Sequence, residues 1–175
     1  MTRNTTEFVF DEEIDRLEQE REDVADRAAD LPQDSPAFAQ QARRGMDLDR
    51  YLRGLRWARD EAHTDTDVPA WDEATESVTL GGLTAGEYGR LQQQLQSDGD
   101  DLPERVYDVV AGTVQAPYWN DGATEPEQFA AVGSLPPAFV SWASAQISDL
   151  TEVGEGNGKS FGELLADRRA TQNGE

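Results

Sequence analysis

An apolar repeat near the start of the chain constrains the fold more than any other feature. Its positions are spaced 3, 4, 3, 4 and 3 residues apart: Ile14, Leu17, Arg21, Val24, Ala28 and Leu31. This spacing is typical of a helix that packs along one seam against another helix, here with a single arginine in the seam. Asp11 and the two glutamates after it favour a helix start at that point, and Pro32 ends the pattern.

A second helix is predicted directly after a short turn. Ser35 has the character of an N-cap residue, and Pro36 suits the first helical position. Gly45 and Gly54 lie inside this helix and weaken it by ~1 kcal/mol each relative to alanine. Its expected buried face consists of Phe38, Ala42, Met46, Leu52 and Leu55. The two helices and a short N-terminal arm predict an αα-hairpin over residues 1–62.

The rest of the chain divides into a polar linker and a second set of helices. Residues 63–76 are acidic and polar and are expected to be a linker. A short β-branched strand, SVTLGG, follows, and Thr84 with Glu87 forms a capping box for the next helix. Further helices are predicted over 103–114, 126–135 and 136–150, so that residues 77–165 form a small helical domain and 166–175 a flexible tail. The predicted class is mostly α: an αα-hairpin followed by a small helical domain with one or two short β-strands.

Two of these helices have a clear expected buried side. Helix 103–114 would bury Val106, Val109, Val110 and Val114. Helix 136–150 is the most apolar in the chain, and its expected buried stripe is Phe139, Val140, Ala143, Ile147 and Leu150. Such stripes recur at helical spacing and indicate a shared core.

The charge of the chain is strongly negative and evenly spread. Thirty-six acidic residues against 15 basic ones give a net charge of −21, and only one of the basic residues is lysine. Such a surface repels nucleic acid and anionic lipid. The pattern resembles that of proteins from salt-loving archaea, where molar salt shortens the Debye length to about 3 Å. A partly disordered acidic protein is the alternative. No apolar run is long enough for a signal peptide or a membrane helix, so an intracellular protein is expected.

The single lysine lies in a glycine-rich stretch, GEGNGKSF, that resembles a phosphate-binding loop. That loop requires a glycine five residues before Gly158, where this chain has Val153. A predicted helix rather than a strand precedes it, and no later strand could supply an acid for Mg²⁺. We expect a turn in which Ser160 caps a final helix together with Glu163, and no nucleotide binding at Lys159.

Catalytic and metal-binding patterns are weak throughout. The chain has no cysteine and no G-x-S-x-G motif, and its one histidine, His63, lies in the predicted linker. The acids at 98–101 lack the spacing of a calcium loop. A carboxylate pair for glycoside hydrolysis stays open, because any of the acids could meet in space. We therefore expect no enzyme, no cofactor and no metal.

Aromatic residues of the C-terminal half are the candidate binding residues. Trp119 and Tyr118 lie in a proline-containing loop, and Trp142 borders the apolar stripe of the last long helix. Tryptophan and tyrosine in such places often anchor a partner, although they also fill cores. We predict that Tyr118, Trp119 and Trp142 line an apolar groove that takes a helix of a partner protein.

The order of elements from residue 77 to 160 resembles that of phage tail assembly chaperones. The segments that carry this resemblance are SVTLGGLTAGEYGRLQQQL, RVYDVVAGTVQAP and SLPPAFVSWASAQISDLTEVGEGNG. Together with the acidic composition, the resemblance implies a tailed virus or provirus of a haloarchaeon. It implies a protein that holds the long tape measure protein soluble in the host cytoplasm before the tail tube forms. The N-terminal hairpin lies outside the resemblance.

Two other functions stay open at this level. The chain could be a structural virion protein, such as a neck, tail-completion or minor tail subunit, and would then be located in the virion. It could also be a small hydrolase or a nucleotide-binding regulator. The expected partner is a tape measure or other tail protein rather than nucleic acid or a membrane, and homo-oligomerisation is left open.

Overall fold

The computed structural model describes residues 3–64, 71, 75–98 and 102–152, together with residues 161, 165, 168 and 169. The elements within these ranges are β1 (Thr5–Val9), α1 (Phe10–Ala29), α2 (Pro36–Asp60), β2 (Ser77–Gly81), α3 (Ala85–Asp98), α4 (Leu102–Gly112), β3 (Thr113–Gln115), α5 (Glu125–Gly133) and α6 (Pro137–Glu152). The predicted mostly helical class is confirmed. The described part contains three short strands, one more than the sequence indicated.

The N-terminal hairpin forms as the apolar repeat predicts. Ile14, Leu17 and Val24 are buried in the common core, and the Ser35 Oγ accepts a hydrogen bond of 3.1 Å from the Phe38 N–H, as expected of an N-cap. Arginine–carboxylate pairs then join α1 to α2 on the outside of the seam: Arg21–Asp49, Arg44–Glu20, Arg56–Glu18 and Arg59–Asp11. Apolar packing therefore holds the hairpin, since exposed pairs of this kind contribute little.

The predicted buried face of α2 is wrong at its centre. Met46 is 66% exposed, and the buried positions include Leu48, Leu52 and Leu55. Met46 lies two residues before Leu48, which is about 200° around a helix axis. The prediction continued the apolar stripe of Phe38 and Ala42 by one helical turn to Met46, whereas α2 turns a different face toward α1 and α6.

The three strands form one antiparallel sheet in the order β1-β2-β3. Phe8 pairs with Val78, and Thr5 pairs with Gly81. β3 begins directly after α4, where the sequence indicated that the helix continued to residue 114. Val114 is therefore 47% exposed instead of buried, because side chains alternate in direction along a strand.

One core joins the hairpin to the later helices. The sheet links β1 to β2 across the predicted linker, and α2 packs closely against α6, where Gly54 approaches the backbone of Ala138 and Phe139. Trp71, which the sequence placed in the linker, is only 4% exposed and stacks on Phe10 with 5.9 Å between ring centroids. It also contacts Trp57 and Phe139. The predicted boundary at 63–76 thus separates two segments of sequence that share one core.

Within the described ranges, no helix has the length and apolar character needed to cross a membrane.

Candidate functional site

An open cleft lies between α3, α4 and α6, and we call it the α3–α4–α6 cleft. Its volume is about 560 Å³. The apolar part of its lining is formed by Leu83, Ala85, Leu91 and Ile147, and the aromatic ring of Tyr88 is 49% exposed. The polar part is formed by Gln92, Glu104, Asp108, Ser148 and Thr151. The cleft therefore combines apolar walls with carboxylates, and none of the described residues that line it is a lysine or arginine.

Local hydrogen bonds fix the walls of this cleft. The predicted capping box opens α3: the Thr84 N–H donates to Glu87 Oε2 at 2.7 Å, and the Glu87 N–H donates to Thr84 Oγ1 at 3.3 Å. The residue between β2 and this box, Leu83, donates its N–H to Thr151 Oγ1 at 2.9 Å. Thr151 Oγ1 in turn donates to the Ile147 carbonyl at 2.7 Å. The start of α3 is thereby tied to the end of α6.

Asp108 is the most unusual side chain of the cleft. It is only 7% exposed, and Ser144 Oγ donates to its Oδ2 at 3.0 Å. Burial raises the pKa of this carboxyl to about 6; the Ser144 hydrogen bond opposes the shift, and the charge of Glu104 adds to it. Among the described residues, no cation forms an ion pair with it. A carboxylate buried in this way is destabilising unless it gains a partner.

A second, smaller cleft lies beside the loop between β3 and α5. It has a volume of about 400 Å³ and is lined in part by Tyr118, Trp119 and Asn120. Gly122 in its wall has φ = 86°, a conformation that glycine adopts without strain. The loop therefore has a defined turn, and it presents Trp119 as a half-buried side chain.

A buried hydroxyl pair fixes Tyr118 in this loop. Thr113 Oγ1 donates to the Val109 carbonyl at 2.6 Å and lies 2.5 Å from the Tyr118 hydroxyl. Because the Thr113 proton is committed to Val109, Tyr118 must donate to Thr113. Burial raises the pKa of Tyr118 above its usual value, although the Thr113 contact opposes the shift.

The structure brings two of the three predicted binding residues together and separates the third. The rings of Tyr118 and Trp119 are in T-shaped contact at 5.0 Å. Trp142 is fully buried and packs against Phe8 at 5.4 Å and Phe139 at 5.5 Å, so its predicted place in a groove is wrong. The side chain of Trp142 lies next to the apolar stripe of α6 and faces the sheet. The sequence did not indicate this contact with the sheet. Partner contact by Tyr118 and Trp119 stays a prediction.

The residues that sequence reasoning missed are Asp108 and Tyr88. Asp108 interrupts the apolar run VYDVV, and a single acid inside a buried helical face is a pattern that could have drawn attention to it. Tyr88 lies in the helix that follows the predicted capping box, and nothing in the sequence shows that this helix borders an open cleft. Which helices leave a gap depends on tertiary packing, which local periodicity does not encode.

The described residues contain no group of three or more His, Asp or Glu side chains able to hold a metal ion. The glycine-rich stretch with Lys159 and its predicted cap at Ser160 lies outside the described residues, as do most of the acids at 98–101. Comparison with protein-family models, with curated proteins and with solved structures finds no match for this chain.

Proposed function

We propose that this protein is a non-catalytic binding protein that acts as a tail assembly chaperone. It binds apolar helical segments of a tape measure protein in the host cytoplasm and keeps that protein soluble before the tail of a haloarchaeal virus assembles. The observation that carries the proposal is the α3–α4–α6 cleft, an open and partly apolar groove between helices on a strongly acidic molecule.

The cleft has the properties that helix binding requires. Amphipathic helices bind in apolar grooves through side chains at helical spacing, and grooves between helices are a common location. Tyr88 offers an exposed aromatic ring, a residue type that often carries binding energy. A net charge of −21 opposes self-association while the groove is empty.

The loop that carries Trp119 supports a second contact with the same client. Trp119 is half-buried against the core and lines the smaller cleft. Loops held by a rigid scaffold are frequent recognition sites, and here the buried Tyr118 hydroxyl fixes the scaffold.

Co-expression with a tape measure protein of a haloarchaeal tailed virus tests the proposal. We expect wild-type protein to raise the soluble fraction of that client and Tyr88→Asp to abolish the effect. Met46→Asp is the matched control, since Met46 is exposed on α2 and does not line the cleft. Equal solubilisation by all three proteins would refute binding at the cleft.

Analysis of purified virus particles separates this proposal from its alternative. A chaperone is expected to be absent from finished particles, whereas a neck, tail-completion or minor tail subunit would be present at a fixed copy number. Stoichiometric recovery from particles would favour the structural virion protein.

A further inference from the structure

Among the described residues, the buried carboxylate of Asp108 has a neutral hydrogen-bond donor but no ion-pair partner. Its hydrogen bond from Ser144 satisfies one oxygen with a neutral hydroxyl. Arg105 lies on the same helix, but its Nη1 donates to Ser141 Oγ at 3.0 Å instead. Glu104, one turn before Asp108, adds a second negative charge to the cleft. The part of the chain that the structure describes thus places this carboxylate at the edge of the groove without a counter-cation.

We propose that the α3–α4–α6 cleft selects client helices that carry a lysine or arginine within their apolar face, and that Asp108 binds this cation. The inference rests on the proposed function of the cleft, and it adds the chemical class of the segment that binds there.

The lining of the cleft fits a cation with a long aliphatic stem. The ring of Tyr88, which is largely exposed, can cover the methylene groups of such a side chain while its charged end meets the carboxylates, as amphipathic side chains commonly pack. A desolvated pair of this kind with good hydrogen bonds favours one register of the client, because a shift by one residue would leave Asp108 unpaired. An entirely apolar helix would instead bury the charge without compensation.

A matched pair of peptides tests the inference. Each is an amphipathic helix of about 18 residues made of leucine, alanine and glutamine. One carries a central lysine in its apolar face, and the other carries methionine there. Binding of fluorescently labelled peptides is measured by anisotropy with wild type, Asp108→Asn and Asp34→Asn. Asp34 is exposed in the turn between α1 and α2, so its variant makes the same charge change away from the cleft.

We expect Asp108→Asn to weaken binding of the lysine peptide at least about tenfold and to leave the methionine peptide unchanged or bound more tightly. Asp34→Asn should resemble wild type with both. Circular dichroism and thermal melting establish that Asp108→Asn is folded. If both peptides bind wild type and Asp108→Asn affects them equally, the inference fails while helix binding stands. If neither peptide binds wild type, both proposals fail.

The pH dependence of binding gives a second, independent measurement. The described residues that line the cleft beside Asp108 are Glu104 on its own helix, Ser148 from α6, and Tyr88 and Gln92 from α3, while Ser144 donates to its carboxylate. Affinity for the lysine peptide should fall between about pH 7.5 and about pH 5 in wild type and stay nearly level in Asp108→Asn. Equal pH dependence in both proteins would overturn the role of Asp108. Self-association lost in Asp108→Asn would assign the cleft to a second copy and would also overturn it.

Discussion

Two glycines of α2 should respond to alanine substitution with opposite signs. A Cβ at Gly54 would lie 2.5 Å from the Phe139 nitrogen and 2.6 Å from the Ala138 carbonyl carbon. Both are backbone atoms of α6, so they cannot move aside without shifting the helix. A Cβ at Gly45 would lie 3.8 Å from Val24 Cγ1, which is an ordinary van der Waals contact.

The expected magnitudes follow from these distances. Replacing glycine by alanine in a helix interior gains about 0.5–1 kcal/mol at either site. At Gly45 that gain should be realised in full. At Gly54, α2 and α6 must separate by about an ångström, and overpacking of a tight contact costs about 1–3 kcal/mol or more. We therefore expect Gly45→Ala to stabilise the protein and Gly54→Ala to destabilise it, with about 1–3 kcal/mol between the two variants.

Thermal unfolding of both variants in the same concentrated salt measures this difference. About 1–3 kcal/mol corresponds to roughly 2–12 °C between the two melting temperatures for a chain of this length. Tryptophan fluorescence is a suitable probe, because Trp57 and Trp71 both belong to the aromatic cluster of the core. If Gly54→Ala melted at or above the temperature of Gly45→Ala, the close approach of α2 to α6 would be refuted.

Four further outcomes follow from other contacts. The native pKa of Asp108 exceeds its unfolded value, so ionisation of this carboxyl opposes folding. Asp108→Asn should therefore be more stable than wild type by about 1–3 kcal/mol near pH 7. A pH series of denaturant melts should show that this gain vanishes below about pH 4. Tyr118→Phe should lose about 1 kcal/mol in the same assay, since Thr113 keeps its hydrogen bond to Val109, and an unchanged midpoint would contradict the buried hydroxyl contact. Trp119→Ala should keep its melting temperature nearly intact yet lose ~2 kcal/mol or more of client binding by titration calorimetry; a stability loss of ~3–5 kcal/mol with affinity preserved would place it in the core instead. Molar KCl should raise the melting temperature above that in dilute buffer by screening carboxylate repulsion, and no change would count against a halophilic origin.

Sequence reasoning succeeded where the information is local. The cap at Ser35 and the box formed by Thr84 and Glu87 depend on residues within one helical turn, and both form as predicted. The seam of α1 was also found, because a helix that packs on one side carries its period in its own residues. The strand at Ser77–Gly81 was visible from its β-branched residues and the glycines that end it.

The failures concern contacts between distant segments. β1 was visible only as a short alternation, and its pairing with β2 depends on residues about seventy positions away. Trp142 was assigned to a surface because the sheet that covers it, through Phe8, could not be foreseen. Trp71 was read as part of a linker, although neighbouring helices bury it. The cleft was missed for the same reason, since a gap between helices is a property of their arrangement.

The pairing of β1 with β2 constrains the order in which the chain can fold during its synthesis on the ribosome. Thr5 pairs with Gly81, so 76 residues must be added after Thr5 before its partner exists. At synthesis rates of about 5–20 residues per second, the backbone N–H and C=O groups of β1 lack their partners in β2 for roughly 4–15 s. The hairpin of α1 and α2 can close during this interval from local contacts, whereas the sheet cannot. Arg3 donates its Nε–H to the Gly82 carbonyl at 2.8 Å. This bond can hold the first strand in place only after the second half of the chain has emerged from the ribosome.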